Sequence, residues 1–228
     1  MHLKLARTAG RRLAWSSLLL GAFVGACSDK STITGPSVEI PVHNTLNEAG
    51  GRSNTLYYAS ETSGPRDDRV YDDFVSPTAT TIRTVKWQGG YSPNKPAATS
   101  FTIAFFPDNG AGFPKVYELD RAGNPRSAEL YRATYSVDQV NEQLDAVIPC
   151  TWTEIQQCGL YTYSLTLTPP FSASGGVRYW MLIQADVPFG GSGSWGWRRG
   201  TPDDNRAGTS IANAYFVWDL AFSLTGFD

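Results

Sequence analysis

Two tryptophans near the carboxyl end of the chain have the type and spacing of a sugar-binding surface. Trp195 and Trp197 are separated by one glycine, and Arg198 follows directly. In an extended chain residues i and i+2 point to the same side, so both indoles would face one way. Two such rings form a flat apolar platform for the C–H face of a sugar, with polar groups nearby for its hydroxyls. The motif predicts a ligand site at Trp195, Trp197 and Arg198; alternatively, both indoles fill one end of a hydrophobic core.

A cluster of carboxylates has the composition of a cation site. Asp72 and Asp73 follow Asp67 and Asp68 within a few residues. Calcium takes about six to eight oxygen ligands, which such stretches supply. The sequence predicts a structural calcium at Asp72 and Asp73, and no other cofactor. The alternative is that these residues form turns and are neutralised by neighbouring arginines.

The residue types needed for catalysis are sparse. The chain has two histidines, of which His43 is expected to be solvated in a flexible segment, and it has no Gly-x-Ser-x-Gly motif. A glycosidase needs two carboxylates about 5 to 10 Å apart, and no spacing singles out a pair among Glu118, Glu129, Glu142 and Glu154. The expected protein is therefore not an enzyme, and a carbohydrate-active enzyme is the least favoured alternative.

Residues 1–26 have the pattern of an export signal. Four basic residues and no acidic ones accompany a largely apolar run of fourteen residues, Leu13–Ala26, which is too short to span a bilayer as a helix. Without this segment, 15 basic residues face 21 acidic ones, a net charge of −6. An acidic chain argues against nucleic acid as a partner, because phosphates require a basic surface.

The end of this segment, Val24-Gly25-Ala26-Cys27, resembles the bacterial lipobox. The resemblance implies that the Cys27 thiol receives a diacylglycerol and that the new amino terminus is acylated, which would anchor the chain in a membrane. Ser28, by resemblance to Gram-negative lipoproteins, implies the outer membrane or cell surface. The alternative is a plain secretory signal in which Cys27 is incidental.

Cys150 and Cys158 remain as a pair separated by seven residues. In an oxidising compartment they are predicted to form a disulfide, which contributes about 2 to 3 kcal/mol for a loop of this size. Two free thiols or a metal pair are the alternatives, but a soft metal would need further ligands that the chain lacks.

Residues 27–54 are rich in Ser, Thr, Gly, Pro and Asn and are expected to be a flexible tether. A short strand at Val38–Val42 is compatible with the sequence, and Pro41 would confine it to a sheet edge. From Thr55 to Asp228, β-prone runs recur about every ten residues, as in β-sandwiches. The runs are Leu56–Ala59, Val70–Val75, Thr81–Trp87, Ser100–Phe106, Val116–Leu119, Glu129–Val137, Gln143–Ile148, Leu160–Leu167, Val177–Ala185, Ser194–Arg198 and Ala212–Leu224.

Three runs show which faces are buried. In Thr81–Trp87, Ile82, Thr84 and Lys86 alternate with residues that include Val85 and Trp87. Val177–Gln184 is apolar on both faces and is predicted to be a central strand. Trp218–Thr225 alternates large apolar with small or polar residues, and is predicted to be the neighbour of the strand containing Trp87.

The succession VYDDF, TIRTVKWQGGY, FTIAFFPDNGAGFP, VRYWMLIQA, WGW and DLAFSLTG resembles an uncharacterised β-sandwich domain of exported bacterial proteins, similar in layout to carbohydrate-binding jelly rolls. The likeness covers Tyr57 to Gly226. Its matching positions are Asp72-Asp73-Phe74, Trp87, Phe101–Phe106, Pro107–Gly110, Tyr179-Trp180, Trp195 and Asp219–Phe222.

The sequence as a whole predicts an all-β, two-sheet antiparallel sandwich of jelly-roll type, held on a membrane by a lipid. The expected function is a non-catalytic binding or adhesion module of the cell envelope, with a glycan as the candidate ligand. A structural component that binds an envelope protein is the alternative.

Overall fold

A computed structural model describes residues 39–46, 57–59, 61–63, 66–91, 97–149, 157–188, 195–204, 206–209, 214–216 and 218–227. In these residues the chain forms strands and a single 3₁₀ turn, Val137–Gln139. The strands are β1 (Ile40–Asn44), β2 (Tyr57–Ala59), β3 (Glu61–Ser63), β4 (Arg66–Asp67), β5 (Val70–Val75), β6 (Thr80–Tyr91), β7 (Ser100–Pro107), β8 (Tyr117–Leu119), β9 (Pro125–Ser127), β10 (Tyr131–Ser136), β11 (Asn141–Pro149), β12 (Gln157–Ala173), β13 (Arg178–Asp186), β14 (Trp195–Arg198), β15 (Ala207–Thr209), β16 (Ala214–Phe216) and β17 (Phe222–Phe227).

Fifteen of these strands form two large sheets, and β8 and β9 pair with each other as a separate hairpin. All the pairings are antiparallel except that of β3 with β13. One sheet has seven strands in the order β1-β17-β6-β12-β11, with β14 and β2 attached beside β6. The other has eight strands in the order β10-β7-β13-β5-β15-β16, with β3 and β4 attached to β13. The apolar faces of both sheets form one core, so the predicted all-β sandwich is confirmed.

Strand β13 is central, as its two apolar faces predicted. It lies between β7 and β5, and every residue from Tyr179 to Ala185 is buried. Met181 and Ile183 face the main core, whereas Trp180 and Leu182 belong to a second apolar cluster on the other face of the sheet. A buried strand of this kind is expected to be apolar on both sides.

Strand β6 pairs with β17, which confirms the predicted neighbour of the Trp87 strand. The predicted faces are wrong at the amino-terminal end of the strand. Ile82 is buried in the core together with Val85 and Trp87, although it is an odd number of residues from both. Against β17, the register passes from the Thr225–Thr84 pair directly to the Gly226–Ile82 pair, so Arg83 is an extra residue that inverts the alternation.

Strand β1 corrects the predicted tether boundary. Ile40–Asn44 pairs with β17 at the edge of the seven-stranded sheet, where Pro41 is tolerated. His43 is not solvated, because its side chain is only 8% exposed and stacks on Phe222 at 4.3 Å. The sandwich therefore begins at β1 rather than at Thr55. In the described part of the chain, no helix is long and apolar enough to cross a membrane.

Candidate functional site

The structure contradicts the predicted platform at Trp195 and Trp197. Both side chains are fully buried in the core. The Trp195 indole lies against Gly89 of β6, where an added Cβ would come within 2.6 Å of the ring. The Trp197 Nε1 donates a hydrogen bond to the backbone oxygen of Ala221 at 3.0 Å. The two indoles therefore fill the interior of the sandwich, which was the alternative interpretation.

Arg198 is also unavailable as a ligand group. It is 3% exposed, and its guanidinium donates to the Gln88 Oε1 at 3.1 Å. A buried arginine of this kind is stabilised by such internal acceptors. The prediction of a ligand site at Trp195, Trp197 and Arg198 is therefore wrong.

Asp72 lies between the two sheets. It shares the inward face of β5 with Val70 and Phe74 and is 1% exposed. Its carboxylate accepts hydrogen bonds from the backbone N–H of Leu220 at 2.6 Å and of Asp73 at 3.0 Å. Burial, followed by the nearby charges of other aspartates, raises the pKa of Asp72 well above its ordinary value.

Asp73 lies on the opposite face of β5, where it pairs with Arg178. The same guanidinium reaches Asp204 at 2.9 Å. Among the described residues, no group of three or more acidic, histidine or cysteine side chains is arranged to hold a metal ion. The prediction of calcium at Asp72 and Asp73 is wrong, because the alternation of the strand sends the two carboxylates to opposite sides of the sheet.

The described glutamates that were considered for catalysis each bond to different partner residues. Glu118 pairs with Lys115 and Arg126. Glu129 pairs with Arg132, while Glu142 accepts a hydrogen bond from the Tyr91 hydroxyl at 3.3 Å. Glu154 lies outside the described residues. No pair of glutamates emerges among those that the structure describes.

Two of the three cysteines, Cys27 and Cys150, also lie outside the described residues. Cys158 lies in β12 and is 4% exposed. The lipidation of Cys27 and the disulfide between Cys150 and Cys158 therefore stay predictions.

An open groove of about 600 Å³ is lined by β10 of one sheet and by β6, β11 and β12 of the other. Strand β11 pairs with β12 only as far as the Asn141–Ser164 pair, whereas β12 continues to Ala173. Beyond Ser164, β10 of the other sheet forms the facing wall of the groove. We call this feature the β10–β12 groove.

The β10–β12 groove is lined mostly by hydroxyl and amide side chains, together with one lysine. Its lining residues are Thr84, Lys86, Ala133, Thr134, Tyr135, Gln139, Asn141, Ser164, Leu165, Thr166 and Thr168. Such side chains can both donate and accept hydrogen bonds. The groove therefore has the functional groups required to bind a polyhydroxylated ligand.

The strand register orders several of these groups. Ser223, Lys86, Ser164 and Asn141 oppose one another in sequence across β17, β6, β12 and β11, and we call them the polar row. Because neighbouring strands are about 4.8 Å apart, the row spans about 14 Å. The Asn141 Nδ2 donates to the Ser164 Oγ at 3.3 Å. Three members of the row, Lys86, Ser164 and Asn141, line the groove and form a continuous strip of polar groups along its floor.

Tyr135 holds the wall of the groove in place. Its hydroxyl accepts a hydrogen bond from the backbone N–H of Thr168 at 2.8 Å and lies 2.6 Å from the Tyr131 hydroxyl. Gln139, at the end of the wall, accepts a bond from the Ser136 backbone at 3.0 Å. These bonds fix the groove before any ligand arrives, which lowers the entropic cost of binding.

Residues 53–224 match the family described as a domain of unknown function, DUF7901. The chain belongs to the DUF7901 family. No curated protein and no solved structure matches the chain. In this DUF7901 protein, β1 precedes the matched range although it pairs with β17. The β10–β12 groove, in contrast, is formed entirely by residues within the DUF7901 range.

The sequence-based prediction missed the groove in this DUF7901 domain. One signal was present, since Thr84 and Lys86 share a polar face of β6. A second was the polar alternation of Thr162, Ser164 and Thr166 in β12. Either strand alone has the pattern of an ordinary solvated face. These faces are seen to form a groove only from the pairing of β6 with β12 and from the start of β11 at Asn141, which leaves the rest of β12 without this neighbour.

Proposed function

We propose that this protein is a non-catalytic binding module of the cell envelope whose ligand is a glycan bound in the β10–β12 groove. The observation that carries the proposal is the groove itself, which is open, about 600 Å³ in volume and rich in hydroxyl and amide groups. A glycan exposes many hydroxyls, each of which needs a partner when it is bound. The proposed site replaces the one expected at Trp195 and Trp197.

The chemistry of the groove also indicates how strong binding would be. Its one aromatic lining residue among those described is Tyr135, which is 5% exposed and presents little ring surface. Stacking therefore contributes little, and recognition depends on hydrogen bonds that replace bonds to water. We expect affinities of about 1 mM for short oligosaccharides, which corresponds to about −4 kcal/mol.

The test is titration of the purified full-length chain, in detergent, with a panel of polysaccharides and oligosaccharides. Asn141→Ala combined with Thr166→Val should weaken binding several-fold. Gln143→Ala is the matched control, because Gln143 is exposed on the same strand and does not line the groove. Absence of binding by the folded wild type would sink the proposal. Release of reducing sugar would favour a carbohydrate-active enzyme instead.

We also propose that Cys27 carries the lipid that anchors this module to the outer membrane or cell surface. The support is the motif Val24–Cys27 after an apolar segment. Metabolic labelling with a radioactive or alkyne fatty acid should mark the wild type and leave Cys27→Ser unlabelled. Labelling of the Cys27→Ser variant would contradict the anchor.

In the exported protein, mass spectrometry without reductant should find Cys150 and Cys158 linked.

A second candidate function, a structural component that binds an envelope protein, is favoured by the β8–β9 hairpin. Tyr117 and Leu119 lie on one face of this hairpin and are 66% and 65% exposed, while Glu118 on the other face is ion-paired. Contiguous exposed apolar surface is typical of contact sites, and these two side chains are neighbours on one face. A photocrosslinker at position 119 should then give a discrete adduct in the envelope that a crosslinker at the exposed Ser172 does not.

A further inference from the structure

One positive charge distinguishes the floor of the groove. Among the described residues that line it, Lys86 is the only charged one. Lys86 is exposed, and the register places it between Ser223 and Ser164 in the polar row. Asn141 is the next member beyond Ser164. An ammonium group therefore shares one face of the sheet with a hydroxyl and an amide, all of which can donate hydrogen bonds.

The surroundings of Lys86 make its charge unusual for this protein. From Cys27 onward the chain has 15 basic and 21 acidic residues, so an anion is repelled by the protein as a whole. Among the described residues, Glu39 is an acid that interacts with Lys86. Hydrogen bonds from Thr225 and then from Thr84 lower the pKa of Glu39, with a smaller contribution from Lys86 itself. The Glu39 carboxylate is therefore stabilised mainly by two threonines, and its interaction with Lys86 is the weaker one.

We propose that the groove selects glycans that carry a carboxylate, such as those containing uronic acids, and that Lys86 binds this group. This inference rests on the proposed glycan function. The Lys86 Nζ would donate to the carboxylate, while Ser164 and Asn141 would bond the neighbouring hydroxyls. One lysine balances a carboxylate of charge −1, whereas a dianionic phosphate would leave one charge uncompensated close to Glu39.

The experiment compares ligands of the same length that carry a carboxylate, a neutral ester or a sulfate. The full-length chain is titrated with an oligogalacturonate, its neutral methyl ester and a sulfated oligosaccharide of the same length. We expect the acid to bind about two- to fivefold more tightly than the ester, the range typical of an exposed ion pair. This preference should shrink as salt is raised from about 0.01 M to 0.15 M, because the Debye length falls from about 30 Å to 8 Å.

Three variants identify the residue responsible. Lys86→Gln should remove the preference for the acid, so that the acid and the ester bind equally tightly. Glu39→Gln should increase the preference, since it removes a negative charge beside Lys86. Lys115→Gln is the matched control, because it changes the net charge equally at a lysine that pairs with Glu118 outside the groove.

The outcomes separate this inference from the function on which it rests. Equal binding of acid and ester, or a preference that persists in Lys86→Gln, overturns the carboxylate site and leaves glycan binding intact. Tighter binding of the sulfated ligand than of the uronate also overturns it. If the folded wild type binds none of these ligands or any other glycan, both proposals fail.

Discussion

The carboxylate of Asp72 accepts a hydrogen bond from the backbone N–H of Leu220 at 2.6 Å, in the interior of the sandwich. Asp72 belongs to β5 in the eight-stranded sheet, and Leu220 lies just before β17 in the seven-stranded sheet. This bond is a polar link between the two layers. The burial that makes it strong also makes an ionised carboxylate costly at this position.

We predict that Asp72 makes the stability depend on pH. An unfolded aspartate ionises near pH 3.9, whereas the folded pKa of Asp72 is raised by burial and by Asp219, Asp204 and Asp203. As the pH rises above about 4, the unfolded state releases its proton first, so Asp72 lowers the free energy of unfolding progressively, by up to about 1.4 kcal/mol per pH unit.

The Asp72→Asn variant should therefore gain stability relative to the wild type as the pH rises from about 4 to neutral. Urea unfolding at a series of pH values measures this difference, and Asp138→Asn, in the exposed 3₁₀ turn, is the control. A difference between Asp72→Asn and the wild type that is constant with pH would contradict the prediction.

His43 should produce the opposite dependence. Burial lowers the pKa of His43 to about 4, although Asp203 and Asp219 oppose the shift. The folded protein disfavours the protonated imidazole, so stability is complete above the unfolded pKa of about 6.5 and falls by about 2 to 3 kcal/mol as the pH decreases to 4. His43→Phe, which preserves stacking on Phe222, should abolish this loss. If its unfolding curves respond to pH as those of the wild type do, His43 is not the group that titrates.

Any side chain at position 89 should destabilise the fold while Trp195 is present. A Cβ at this position would lie 2.6 Å from the Trp195 ring and 2.8 Å from the backbone oxygen of Gly196. Overpacking of this kind costs about 1 to 3 kcal/mol. Gly89→Ala should lower the free energy of unfolding by that amount. Combining it with Trp195→Phe should cost less than the two separate changes together, and strict additivity would show that the two residues are not coupled.

Tyr135 should matter to both the fold and the groove. Tyr135→Phe removes the acceptor for the Thr168 backbone N–H, a part-buried bond of 2.8 Å. Loss of such a bond costs about 1 to 2 kcal/mol, and the loosened wall should weaken glycan binding. Tyr117→Phe is the control, because Tyr117 is 66% exposed and should change stability by less than about 0.5 kcal/mol. Equal unfolding midpoints for the two variants would argue against a structural role for the Tyr135 hydroxyl.

Much of the fold could be predicted because strand periodicity is local. The two-sided apolar pattern of Val177–Gln184 identified the central strand, and the alternation of Trp218–Thr225 identified a partner of the Trp87 strand. Pro41 correctly predicted an edge position for β1. The bulge at Arg83 could not be predicted, because it depends on how two neighbouring strands accommodate one extra residue.

The sequence by itself determined the fold class and the position of most strands, since each depends on residue types close together in the chain. Only the tertiary structure decided where polar and aromatic side chains lie. Trp195 is buried because Gly89, far away in sequence, leaves room for its ring. Lys86, Ser164 and Asn141 share one groove because three strands pair in a particular register. Long-range pairing has no local signature, so the candidate site emerged from the fold.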